Sequence, residues 1–289
     1  MTRQPPRSLA ARLGLAGLLI LPALVTAATR PGIPNRIVSL NLCTDSLLLE
    51  VAPRSAHLSL TRLSQDPGLS PLAAEASRHA SNNGGVEEVV NFRPQLVLSA
   101  NDSSPAVQLL QRLGYRVEIF PPAETLLMYE QALARLAGLL ATEPLARQLL
   151  QKLHQRLQAL PRLAAPTEVV LLSGNGYVRG EGTLSRELLA VVGLKDIGSR
   201  YTTTAQGAVP LEALVRDPPS WLVAGVASAG TPSLADEYLG HPALQSVFDE
   251  STRVIPLPEM LWTCGGSYFA DAAEALSQAL IRGGARVQP

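Results

Sequence analysis

An excess of charge of either sign is missing from this chain. Lys+Arg and Asp+Glu balance at 24 each, so the basic stripe that a nucleic-acid partner demands is not there. Aromatic residues are scarce, at 4%, which makes each Trp or Tyr in a loop more informative than usual. The four histidines, His57, His79, His154 and His241, lack the spacing of a metal-ligand set. No G-x-S-x-G elbow is present. Ser173-Gly174-Asn175-Gly176 lacks the Lys-Ser/Thr of a phosphate loop and the full dinucleotide fingerprint. No carboxylate pair stands out as an acid–base couple. These absences argue against catalysis, a bare-ion metal site and a resident cofactor.

Long apolar runs are also missing, with one exception at the start. Arg3, Arg7 and Arg12 give a positive beginning, residues 13–25 are apolar, and Val25-Thr26-Ala27 offers a small-x-small cleavage pattern. The run is shorter than the roughly 20 residues of a membrane span. Residues 1–28 are therefore expected to be a secretion signal cleaved near Ala27. Only two cysteines are present, Cys43 and Cys264. In an oxidising compartment they permit one disulfide. They equally permit a pair of thiolates for a soft metal or two unrelated buried thiols, and the sequence leaves all three readings open.

What is present points to a folded α/β chain. With 289 residues, 46% hydrophobic and 17% charged, two domains of ordinary size are expected. Short apolar runs alternate with helical stretches: Ile37-Val38-Ser39-Leu40, Leu96-Val97-Leu98 and residues 116–120 read as strands, each close to a helical pattern. Such alternation implies a parallel sheet. From 125 to 160 no strand appears, and leucines recur at helical spacing from Leu133 to Leu157. Two helices are expected there, the second spanning about 25 Å. Strand–helix alternation then resumes with Val169-Val170-Leu171-Leu172, Trp221-Leu222-Val223-Ala224 and Val254-Ile255-Pro256, before an amphipathic helix over 268–281. The tail, 283–289, carries no pattern and is expected to be disordered. The division is thus 35–122, a helical connector over 123–165, and 166–282.

Each half repeats one local signal. Glu87 lies on a short helix, with Pro94 seven positions later and then the strand at Leu96. Glu212 lies on another, followed by Pro219 and the strand at Trp221. Helix-start carboxylates are favoured by the helix dipole in any case, but two at equivalent places suggest related lobes.

With these pieces in this order, the chain resembles the periplasmic binding proteins for cobalamin, iron-siderophores and haem that serve ABC importers. The resemblance covers roughly 36–281. It implies two α/β lobes joined by one long connecting helix, with a ligand cleft between them. It implies a monomeric periplasmic receptor that captures a metal chelate or corrinoid and delivers it to a permease dimer. By motif position Glu87 and Glu212 dock onto that permease. The cleft loops implied by the resemblance hold Cys43, Arg62, Asn83 and Asn101 in the first lobe and Tyr177, Arg179, Tyr201 and Trp262 in the second. Flat aromatic faces suit a corrin or porphyrin, and Arg suits its carboxylates. The cysteine pair departs from the family pattern. It keeps a second reading in play, an exported redox or metal-handling protein using Cys43 and Cys264. A sensor built on the same binding fold is a third.

Overall fold

The computed structural model describes residues 1, 32–173, 176–180, 182–202, 207–226, 238, 240–246 and 254–288. The expected secretion signal lies outside the described residues. No described helix is long and apolar enough to cross a membrane.

The first sheet holds β1 (Arg36–Ser39), β2 (His57–Thr61), β3 (Ala80–Asn82), β4 (Leu96–Ser99) and β5 (Val117–Ile119), all parallel, in the order β3-β2-β1-β4-β5. Strands β1 and β4 are buried along nearly their whole length because both faces are covered. The helices between them are α1 (Leu42–Val51), α2 (Ala73–Ala76), α3 (Val86–Phe92) and α4 (Pro105–Arg112). The strand order reverses between β1 and β4, and open sheets of this kind form a crevice at such a point, beyond the strands' carboxyl ends.

The second sheet repeats the plan with β6 (Thr167–Leu172), β8 (Leu194–Asp196), β10 (Trp221–Val226) and β11 (Val254–Pro258), parallel, in the order β11-β10-β6-β8. A small antiparallel pair, β7 (Tyr177–Val178) with β9 (Gly207–Ala208), follows the carboxyl end of β6. Helices α7 (Leu184–Val191), α8 (Leu211–Arg216), α9 (Pro242–Gln245) and α10 (Phe269–Arg282) complete this lobe.

Between the sheets run α5 (Leu126–Leu140) and α6 (Glu143–Gln158). The 16 residues of α6 give it a length of about 24 Å. Thr125 caps α5, its hydroxyl accepting from Met128 N at 3.2 Å. Helix α5 packs on α1 of the first lobe, and α6 packs on α10 of the second. Arg156 of α6 donates to Asp271 and, at 2.7 Å, to Glu274 on α10.

Strand alternation sends Ile37 inward and Val38 outward, and likewise Val169 and Leu171 inward with Val170 and Leu172 outward. The inward set meets Leu48 of α1, Leu133 and Leu136 of α5, Leu153 of α6 and Phe269 of α10 in one apolar cluster. Both sheets therefore share an interior, and Ile33–Pro289 form one compact unit. The tail departs from the sequence expectation over residues 283–288. Val287 bridges Leu163, Ala164 N donates to Arg286 O, and Gln288 N donates to Arg162 O, each bond 2.8 Å long. These backbone bonds order a segment whose side chains show no periodicity.

Candidate functional site

At the carboxyl ends of the first sheet lies a buried polar layer: Ser39, Thr44, Asp45, Ser59, Thr61, Ser64, Asn82 and Ser99. Asn41 caps α1, its Oδ1 accepting from Cys43 N at 2.9 Å. Asn82 Nδ2 donates to Ser39 O at 3.1 Å and Ser59 Oγ at 3.0 Å, tying β3 to β1 and β2. Asp45 Oδ2 accepts from Thr61 N at 3.1 Å and from the Thr61 hydroxyl. Its other oxygen has no partner among the described residues. Burial pushes the Asp45 carboxyl up to about 6, against the pull of its hydrogen bonds.

That shift carries a sign for stability. Below about pH 4 the carboxyl is protonated in both the folded and the unfolded chain, and no penalty arises. As pH rises from about 4 to 6, the unfolded chain ionises first and stability falls, by about 3 kcal/mol once both states are ionised. Asp45→Asn should therefore flatten the decline in urea midpoint between pH 4 and 6 and raise the midpoint at pH 7. The slope should not vanish, because burial raises Glu50 in the same direction. An unchanged pH profile in the variant would sink this assignment.

Around this layer the sequence-expected residues divide. Arg62 is exposed at the end of β2, next to Leu63, which is 51% exposed. Asn83 is held locally: its N donates to Glu88 Oε2 at 2.7 Å and its Nδ2 to Glu88 Oε1 at 3.1 Å. Asn101 Oδ1 accepts from Ser104 N at 3.1 Å, organising the entry to α4. In the second lobe Tyr177 stands 52% exposed on β7, and Arg179 beside it is exposed. Tyr201 and Trp262, also expected in the ligand cleft, are largely buried. Tyr201 is buried and donates its hydroxyl to Asp217 O at 2.7 Å. Trp262 is 4% exposed and packs in the shared apolar cluster. Both stand in segments that read as loops, but area burial favours filling the core with such rings. Leu63, in the expected first-lobe loop beside Arg62, and Leu69 are among the exposed apolar side chains, and the sequence reading assigns neither a role.

The two sheets meet at the cysteines. Cys43, in the first turn of α1, is disulfide-bonded to Cys264, in the loop after β11, with 4.9 Å between the Cα atoms. Neither sulfur is a free thiol. The bond brings the carboxyl-end loops of β1 and β11 together. A second tie lies seven residues along the same helix. Glu50 Oε1 accepts from Ser267 N, and its Oε2 accepts from the Tyr129 hydroxyl of α5, both at 2.7 Å. Residues 264–267 thus form a strap across α1. Gly265 is needed there: its φ is +70°, and a Cβ would lie 3.0 Å from Tyr129 Cβ.

Glu87 lies in the first turn of α3 and Glu212 in the first turn of α8, and both are exposed. Each helix leads back into a parallel strand, β4 or β10. The helix starts therefore sit on the carboxyl-end side of each sheet, the side where the disulfide joins the lobes.

A family model described as periplasmic binding protein matches residues 37–257. No curated protein sequence matches the chain. Among solved structures, the chain is similar to a periplasmic haem-binding protein from Pseudomonas aeruginosa, with 20% identity, TM-score 0.65, and coverage of 89% of this chain and 95% of that one. It is similar to the periplasmic vitamin B12-binding protein of Vibrio cholerae, with 17% identity, TM-score 0.60, and coverage of 87% and 98%. A periplasmic binding protein from Veillonella parvula aligns with 14% identity, TM-score 0.67, and coverage of 86% and 91%.

Proposed function

Because the chain belongs to the periplasmic binding protein family, we propose that it captures a metal chelate between its lobes and hands it to an ABC permease. The observation that carries this reading is the convergence of the two sheets. The Cys43–Cys264 bond holds their carboxyl-end loops together, and ligands of open α/β sheets bind beyond those ends. Arg62 and Leu63 offer charge and apolar area from one lobe, and Arg179 and Tyr177 offer the same from the other. This combination suits a flat, mostly apolar ligand with carboxylates at its rim, such as a porphyrin or corrin. Similarity to haem- and vitamin B12-binding proteins supports the same class. The disulfide suits an oxidising compartment, in keeping with export by the N-terminal segment. Glu87 and Glu212 are the proposed docking carboxylates, and the chain is proposed to act as a monomer with no catalytic role.

The test is to purify the protein from its native host, record its visible spectrum and identify co-purifying molecules by mass spectrometry. Titrations with haemin, cyanocobalamin and a ferric siderophore follow. One of the three should saturate at one equivalent or a small integer, with Arg62→Ala and Arg179→Ala each weakening it about tenfold or more. If none saturates and nothing co-purifies, the reading falls.

A further inference from the structure

Two ties fasten the 264–267 strap to α1, and they differ in kind. The Cys43–Cys264 bond holds the end nearest the cleft, and Glu50 holds the other end through Ser267 N and the Tyr129 hydroxyl. Seven helical residues separate the anchor points on α1, about 10 Å along its axis. Cys264 is 6% exposed, whereas Cys43 is partly exposed. Cys43 also lies in the first helical turn, where unpaired backbone N–H groups favour a thiolate. Cys43 is therefore the more exposed half of the bond, and the fold has a second anchor that an attack there does not touch.

We propose that the disulfide is a redox-opened latch: an exported dithiol reductant releases the cleft end of the strap while Glu50 keeps the far end seated. The reductant's thiolate attacks Cys43 Sγ. The Cys43–Cys264 bond breaks, and its electron pair leaves on Cys264 Sγ, which takes up a proton. The reductant's second thiol then attacks its own sulfur in the mixed disulfide and forms the reductant's internal disulfide. Cys43 departs as a thiolate in the first turn of α1. Two electrons pass from the dithiol to the protein. The freed end carries Thr263 and Trp262, so Trp262 is less firmly held in the shared apolar cluster. The consequence for cargo, weaker retention in the reduced state, rests on the proposed chelate-binding role.

Hydrogen exchange on the full chain tests the latch without any ligand. After dithiothreitol treatment under native conditions, at labelling times too short for global unfolding, peptides covering 260–265 should exchange at least tenfold faster, while peptides covering 266–270 stay unchanged. In Glu50→Ala the acceleration should extend through 270 on reduction. With Trp221→Phe leaving Trp262 as the sole tryptophan, its emission should shift to the red on reduction. The Cys43→Ser/Cys264→Ser variant should reproduce the loosened segment without reductant. A bond that resists dithiol in the folded protein overturns the proposal. So does unchanged exchange after reduction, or a short-time rise in 266–270 as large as that in 260–265. A chelate-binding protein with an inert disulfide would overturn only the latch, and a latch without chelate binding would overturn only the function.

Discussion

Replacing Glu87 and Glu212 together by alanine should cut uptake into reconstituted vesicles about a hundredfold or more, while the ligand's dissociation constant changes less than twofold. The two carboxylates lie in the first turns of α3 and α8, exposed, on the side where the lobes meet. They are far from the interior in kind: their removal leaves no buried partner unpaired, so the fold and the cleft should be unaffected. A partner presenting cations at matching spacing would lose both register and encounter rate when they go. Each carboxylate alone should matter about tenfold, because one anchor still orients the complex. Uptake is read with vesicles carrying the permease, and binding by calorimetry on the same preparations. Wild-type uptake by the double variant, or a loss of ligand affinity in it, would remove these residues from the docking role.

The second large effect concerns the covalent tie. Cys43→Ser/Cys264→Ser should lower the unfolding free energy by about 3–5 kcal/mol. The cysteines are 221 residues apart, so the bond removes freedom from nearly the whole unfolded chain. A loop of that length gives about 5 kcal/mol in the chain-entropy treatment, and measured effects tend to fall below it. For a chain of this size the midpoint should drop by about 5–10 °C. The measurement is urea and thermal unfolding of the oxidised wild type against the double variant. A change under 1 kcal/mol would show that the unfolded chain is already compact between the two sites.

Much of this architecture could be read from residues alone, for a local reason. Continuous apolar runs such as Val169-Val170-Leu171-Leu172 are strands in any parallel sheet covered on both faces, and leucines at helical spacing in 125–160 leave few alternatives. The candidate site was less readable. Trp262 and Tyr201 stand in Gly- and Thr-rich segments, yet the fold turns both inward, and no local pattern encodes that turn. Asn83 and Asn101 look equally polar on paper, but Glu88 and Ser104 claim their side chains. Glu50 carried no signal at all. Its partners are Tyr129 and Ser267, 79 and 217 residues distant, and only the folded chain brings them together. The ordered tail was missed because main-chain pairing with Leu163 leaves no trace in side-chain periodicity.

The apolar cluster that runs unbroken from one sheet to the other also bears on how a cargo molecule would come and go. A receptor whose halves swing shut can imprison what it holds, and its escape rate then reflects the hinge. Here any swing would have to tear a common interior, so residence time must be written in the contacts of the cargo itself. Unloading then falls to whatever loosens those contacts, reduction of the strap or a partner pulling from outside.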